Sequence, residues 1–390
     1  MVKNTDEAVH DFMSVLDEFK KDARAGQAKP FTIQEYLTKA ATDPSYYATV
    51  AERLLMSIGE PNKIDTREDP RLSRIFSNRV IFEYPAFGDF YGSDMKESIM
   101  DVVRHLTSAA QNLEERKQVL YLLGPVGSAK SSIAERLKSL MEDQPIYVLQ
   151  YRGEKGQEIS PLNESPLPFI KYVLDQKGQG SMLETKFGIN KSYLKTSMSP
   201  WAYKRLEESG GDISRFSVIR RDPSIGKQIA ISKTEPGDEN NQDISALVGK
   251  VNTSMLDQFQ QDDTDAYSYS GGLCKSNQGL MEFVEMFKAP IKVLHPLLTA
   301  TQEGNYKGTE PIGNIPFDGL VLAHSNESEW KSFKGNKNNE AFLDRVHIVK
   351  VPYVREASEE AKIYKKMLSE SSLANAPCAP GTLEMLSEFI

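Results

Sequence analysis

The stretch YLLGPVGSAKSSIAERL, Tyr121 to Leu137, runs from an apolar segment of strand length, through a glycine-bearing turn, into a segment with helical spacing. Gly124 opens, and Lys130–Ser131 closes, a pattern that departs at one position from the phosphate-loop spacing G-x-x-x-x-G-K-[ST]: Ala129 stands where the second glycine belongs. Such loops hold phosphate because backbone N–H groups and a helix N-terminus point at it. The lysine ammonium reaches the outer phosphates and the next hydroxyl takes magnesium. Lys130 and Ser131 fill those two roles, and Gly124, Pro125, Val126, Gly127, Ser128, Ala129 and Ser132 complete the cradle. Alanine loses mainly the positive-φ conformations of glycine, so the substitution is tolerable if Ala129 sits at negative φ, with Gly127 and Ser128 carrying part of the turn instead. ATP and Mg2+ are the expected ligands.

Outward from the loop, QVLYLLGP precedes it as a buried strand, KSSIAERLKSLM follows as a helix, and PIYVLQY reads as the next buried strand. Strand, loop, helix, strand is the start of a parallel α/β sheet flanked by helices, with the loop at a strand's carboxyl end. Upstream, Val9, Phe12, Met13, Val15, Leu16 and Phe19 share one side of a helix from Thr5 to Ala25, and FTIQEYLTKAATDPSYYATVAERLLMSIG repeats the spacing with a break at TDPS. These segments predict a small helical N-terminal domain over 1–65, ending near PNKIDTREDPR. The core is expected over 66–360, with Ser93 capping the helix that precedes the loop strand. An insertion at about 153–236 is marked by the loop signals SPLNESPLP, GQGS and EESGGD. Further strands are expected in GLMEFVEM, GLVLAHSN and DRVHIVKVP, and 361–390 reads as the start of a helical lid, truncated within GTLEMLSEFI.

Composition narrows the class. The 390 residues are 39% hydrophobic and 26% charged, which fits a soluble globular chain. Apolar runs such as VLYLL fall far short of a membrane span, and MVKNTDEAVHDF lacks a signal layout, so a cytoplasmic setting is expected. A net charge of −8 argues against a nucleic-acid surface. Cys274 and Cys378 lie in no C-x-x-C arrangement and suggest neither a disulfide framework nor a zinc site. Tyr47, Trp201 and the aromatic run Tyr84 to Tyr91 read as core or interface anchors, and His295 and His324 as packed histidines.

Downstream, GLMEFVEM ends in a glutamate and is followed by a leucine-rich helix. In AAA+ ATPases this strand ends in Asp-Glu, the Asp holding magnesium through water and the Glu polarising the attacking water. Val284 and Glu285 occupy those places, so Glu285 is a candidate catalytic carboxylate while the metal-side acid is missing. Glu282 faces another way on a strand and substitutes poorly. Asn326, at the end of GLVLAHSN, resembles the sensor asparagine near the γ-phosphate; strand-end turns use asparagine too. Arg345, in NNEAFLDRVHIVKVP, resembles the arginine finger that reaches a neighbouring subunit's ATP.

LLGPVGSAKSS, SKTEPGDENNQDISALVGKV, NQGLMEFVEMFKAPIKVLHPLLTATQEGNY, LAHSNESEW and NKNNEAFLDRVHIVKVPY together resemble the bacterial PrkA (YeaG-type) serine protein kinase family, most strongly from about Phe90 to Pro380. The resemblance implies an AAA+ module N-terminal to a further region assigned to kinase function, phosphorylation of protein serine, protein substrates and a stress-response setting. It also implies a homo-oligomer if Arg345 acts in trans. The protein-kinase set of G-x-G-x-x-G, H-R-D-L-x-x-x-N and D-F-G is absent from this sequence, and no Ser-Lys protease dyad can be assigned. Two other readings stay open: an AAA+ ATPase that remodels or delivers proteins for proteolysis, suggested by segments shared with Lon-type modules, and a nucleotide-gated scaffold, suggested by Val284.

Overall fold

In the computed structural model, which describes residues 13, 15–16, 29–154, 156–235, 243–374 and 376–389, a five-stranded sheet organises the chain. Its strands are β1 (Val119–Leu123), β2 (Ile231–Thr234), β3 (Leu280–Val284), β4 (Leu320–Ser325) and β5 (Val346–Lys350). They lie in the order β5-β1-β4-β3-β2 and every pairing is parallel. Parallel sheets are covered on both faces, and β1 shows the period-two consequence. Val119, Tyr121 and Leu123 enter one core while Leu120 and Leu122 enter the other. Each such fully buried leucine contributes on the order of 2 kcal/mol.

Helices α1 (Val50–Ile58), α2 (Ser93–Ala110) and α3 (Lys130–Glu142) cover the Leu120 face. Helices α4 (Ile291–Glu303) and α5 (Glu327–Gly335) cover the Tyr121 face, where Leu294, Leu297 and Phe333 are buried. Beyond β5, α6 (Ala357–Ser369) and α7 (Thr382–Phe389) pack against each other.

Several expectations need correction. PIYVLQY is a strand, but not of this sheet. Ile146–Gly153 pairs antiparallel with Phe216–Arg221 in a second sheet that also takes in Phe31–Thr32 and Gly156–Ile159. A continuous apolar run reports burial, not partner. The place beside β3 goes to the shorter β2, whose last two residues are exposed or half-buried, as suits an edge. The expected insertion thus supplies Gly156–Ile159 and Phe216–Arg221 to the second sheet, with Tyr36, Leu149, Phe169, Trp201 and Phe216 in its core.

The N-terminal helices divide between cores. Tyr36, on the helix Ile33–Ala40, belongs to the second sheet's core, and Leu54, on α1, to the central one. Both helices start in capping boxes, Thr32 with Glu35 and Thr49 with Glu52. The segment up to 65 therefore shares its cores with later parts of the chain. The helix expected from Thr5 to Ala25 lies, apart from residues 13, 15 and 16, outside the described residues. Ser93 is not a cap: Gly92 holds that position, and the Ser93 N–H donates instead to Glu356 Oε2 at 2.8 Å.

Candidate nucleotide site

Because the five strands are parallel, their carboxyl ends share one edge, and the loop after β1, Glu285 after β3, Asn326 after β4 and Tyr353 beyond β5 meet there. A Cβ on Gly124 would come within 2.0 Å of the Val351 carbonyl oxygen, so close approach to the chain leaving β5 demands glycine there. Gly127 has φ 86°, as a sharp turn requires. Ala129 adopts φ 62° and ψ 15°. The condition of negative φ is thus not met: the backbone keeps the left-handed geometry a second glycine would supply, and alanine bears a strain of roughly 1 kcal/mol.

Lys130 begins α3 and is nearly buried. Its Nζ donates to Gly124 O at 2.8 Å and Pro125 O at 2.5 Å, folding back over its own loop. Burial lowers the pKa of this ammonium, and the negative charge of Glu329 opposes that shift. Ser131 and Ser132 are exposed on the first turn of α3, where helical N–H groups lack intrahelical partners. The loop borders a cleft of about 1500 Å3 lined also by Asp89, Phe90, Tyr91, Tyr353 and, from α6, Ile363, Tyr364 and Met367.

Within the aromatic run, expected to supply core or interface anchors, Phe90 and Tyr91 also line the cleft. Phe87 is buried, and Phe90 packs against the same core while bordering the cleft. No local sequence signal separates them. Asp89 joins the two walls: its carboxylate accepts from Arg136 of α3 at 2.8 Å and from Lys366 of α6 at 2.8 Å. Burial pushes its pKa up, but the Lys366 hydrogen bond and the Arg136 charge outweigh it and leave the carboxyl below its ordinary range. Tyr353 Oη donates to the Val126 carbonyl at 2.6 Å, holding the loop tip.

Glu285 leaves β3 in the left-handed region at φ 49°, keeps the ladder through its N–H to His324 O at 2.8 Å, and pairs with Lys288 at 2.7 Å. Glu282 faces the opposite way and is buried, bound to Lys138 Nζ at 2.6 Å and His324 Nε2 at 3.0 Å. This buried triad fastens α3 to β3 and β4. Asn326 reaches the strand ends but acts there as the cap of α5. Its Oδ1 accepts from Glu329 N at 2.9 Å and its Nδ2 donates to Glu329 Oε1 at 2.8 Å.

Arg345 is not brought to this edge. It precedes β5 at the amino end of the sheet, its carbonyl accepting from Val119 N and its Nη1 donating to Ala341 O at 2.7 Å. The length of β1, about 15 Å at roughly 3.3 Å per residue, separates it from its own loop.

The donors present suit magnesium. The Ser131 hydroxyl is exposed beside the loop, and Glu329 has a buried Oε2 with no hydrogen-bond partner among the described residues. Hydroxyl and carboxylate oxygens are what this hard cation takes, together with phosphates and water. Among the described residues no group of three His, Cys, Asp or Glu forms a metal cage, and no helix is long and apolar enough to cross a membrane.

Comparison with known proteins places these observations. The chain is 61% identical over 377 residues to serine/threonine kinase YeaG of Escherichia coli K12, covering 97% of this chain and 57% of that protein. It is 37% identical over 302 residues to ATP-dependent protease PrkA of Bacillus subtilis 168, covering 76% and 46% respectively. The chain therefore spans about half the length of these curated relatives. A structure of the complex between subunits BchI and BchD of magnesium chelatase aligns over 78% of this chain and 70% of its own, with 12% identity and a TM-score of 0.41. The family description PrkA AAA domain matches residues 31–390, and with the parallel AAA+ sheet and its loop established, the chain belongs to the PrkA AAA domain family.

Proposed function

We propose that the chain is the ATP-binding AAA+ module of a PrkA-type serine protein kinase. One arrangement carries the reading: a phosphate loop ending in Lys130, at the carboxyl edge of the sheet, bordering a cleft whose far wall is the lid helix α6. The N–H groups of the loop and of the first turn of α3 bind the phosphates. Lys130 exchanges its carbonyl partners for the outer phosphate oxygens, and Phe90, Tyr91 and Tyr364 supply apolar walls for the base. Magnesium, when bound beside Ser131, neutralises charge building on the transferred phosphoryl group. Glu285 orients the attacking hydroxyl or water, freed from Lys288 by a change of rotamer. Arg345, at the opposite edge, serves a neighbouring copy, so the working form is a homo-oligomer with a protein substrate in a cytoplasmic setting.

The Escherichia coli relative, a serine/threonine kinase by name, supports phosphorylation of protein serine. The name of the Bacillus subtilis relative supports the second reading, ATP-driven delivery of proteins for proteolysis. Both readings share the nucleotide site and differ in the phosphate's fate. The experiment follows γ-labelled ATP with the purified chain, Lys130→Ala and Glu285→Gln over a range of protein concentrations. Label on protein serine, with matching ADP and none in Lys130→Ala, supports the kinase. Free phosphate released faster on addition of an unfolded protein, without transfer, supports delivery. A wild type that binds no ATP refutes both.

A further inference from the structure

We propose that Glu329, in the first turn of α5, supplies the acidic contact to the nucleotide's magnesium that Val284 cannot. The proposal rests on the nucleotide-site reading above and deepens it. β3 ends without its metal-side acid, but β4 beside it ends at the same edge, and the helix that follows carries a carboxylate three residues beyond Asn326. Asn326 clamps that residue twice, by its Oδ1 on the backbone N–H and by its Nδ2 on Oε1. One carboxylate oxygen is thus fixed in place. The other, Oε2, is buried and unpartnered among the described residues. A buried acceptor without a partner costs roughly 1–3 kcal/mol, more when charged, so this oxygen calls for a cation or a cation's water.

The groups around it agree. Glu329 is the charge that works on Lys130 against the effect of burial, so the carboxylate and the loop lysine share one electrostatic neighbourhood. A lysine and a metal ion stand side by side in this way at outer phosphates. Lys288 lies 3.6 Å from Glu329 Oε1 but only 2.7 Å from Glu285, so its charge is spent mainly on Glu285. Glu285 is also the more exposed of the two acids. The division that follows gives Glu329 to the metal's hydration shell and leaves Glu285 to the nucleophile.

The test titrates a fluorescent ATP analogue onto the purified chain in EDTA and again in Mg2+, with melting curves confirming that each variant folds. Glu329→Gln keeps an oxygen for Asn326 and so preserves the cap. Wild type should bind more tightly in Mg2+, and Glu329→Gln should bind normally in EDTA but lose roughly tenfold of the Mg2+ gain. Glu329→Asp should recover part of it, and Glu285→Gln should keep it. The proposal is overturned if Glu329→Gln retains the gain, if Glu285→Gln is the variant that loses it, or if wild type shows none. Analogue binding absent in wild type, or unaffected by Lys130→Ala, would instead sink the nucleotide-site reading itself.

Discussion

Replacing Lys138 by methionine should be among the most damaging single changes in the core, and a second change should undo it. Lys138 and Glu282 each keep only 2% of side-chain exposure, and their 2.6 Å pair joins α3 to β3. Lys138→Met keeps the packed stem but leaves the buried carboxylate with His324 as its remaining partner, and breaking a buried pair in this way costs about 3–5 kcal/mol. The lost surface pair with Glu135 adds only about 0.4 kcal/mol. Removing both charges, in Lys138→Met with Glu282→Leu, eliminates the buried carboxylate that lost its lysine but takes the acceptor from His324 Nε2, so the double variant should recover about half of the loss. Urea unfolding of the four proteins of the cycle at pH 7 measures this, provided the slopes agree.

Acidity gives a second check. Burial raises the pKa of Glu282, but His324 and Lys138 outweigh it and leave it lowered in the folded protein. In wild type the triad's contribution is therefore complete above the unfolded value of about 4.3 and lost as pH falls through the lowered folded value. In Lys138→Met the carboxyl loses its main cation and its pKa rises, so the deficit against wild type should shrink on acidification. A single variant costing under about 1 kcal/mol, or a double variant no better than the single, would refute the reasoning.

Ala129→Gly should relieve left-handed strain and stabilise the chain by about 1 kcal/mol, less the entropy glycine adds to the unfolded chain; thermal melting would show a small upward shift. Gly124→Ala should do the reverse, because its Cβ would meet Val351 O at 2.0 Å; loss of ATP-analogue binding together with a lowered melting temperature is the expected pair of readouts. Asp89→Asn should free Lys366 and Arg136 and so loosen α6 from α3, raising nucleotide dissociation a few-fold in stopped-flow displacement. In wild type the same contact holds above the unfolded carboxyl pKa and is lost as pH falls through the lowered folded value, so dissociation should quicken in acid.

What could be read from sequence was local. VLYLL, the glycine turn and KSSIAERL are contiguous, and strand, loop and helix follow from spacing alone; GLVLAHSN and DRVHIVKVP likewise declare themselves by apolar runs. Pairing was not legible: nothing in PIYVLQY states that its neighbour is Phe216–Arg221 rather than a strand of the loop's own sheet. Ala129 shows a second limit, since composition tells which conformations a residue tolerates, while the surrounding loop decides which it must adopt. Tyr91 and Tyr353 show a third. Their cleft is closed by chain segments hundreds of residues apart, so only the folded chain separates a wall from a core. Glu329 escaped for a related reason: its meaning depends on an empty position, Val284, on a different strand.

The run from Arg345 to Tyr353 lies along the whole of β1, bonded to it from Val119 N to Leu123 O. Strands so joined cannot slide by a fraction of a residue without breaking the ladder. This run is therefore a stiff rod with a guanidinium at one end and, at the other, a phenol resting on the loop tip. A displacement of the loop along the rod would be carried to the far edge of the sheet, and α6, which begins just beyond Tyr353, would move with the near end.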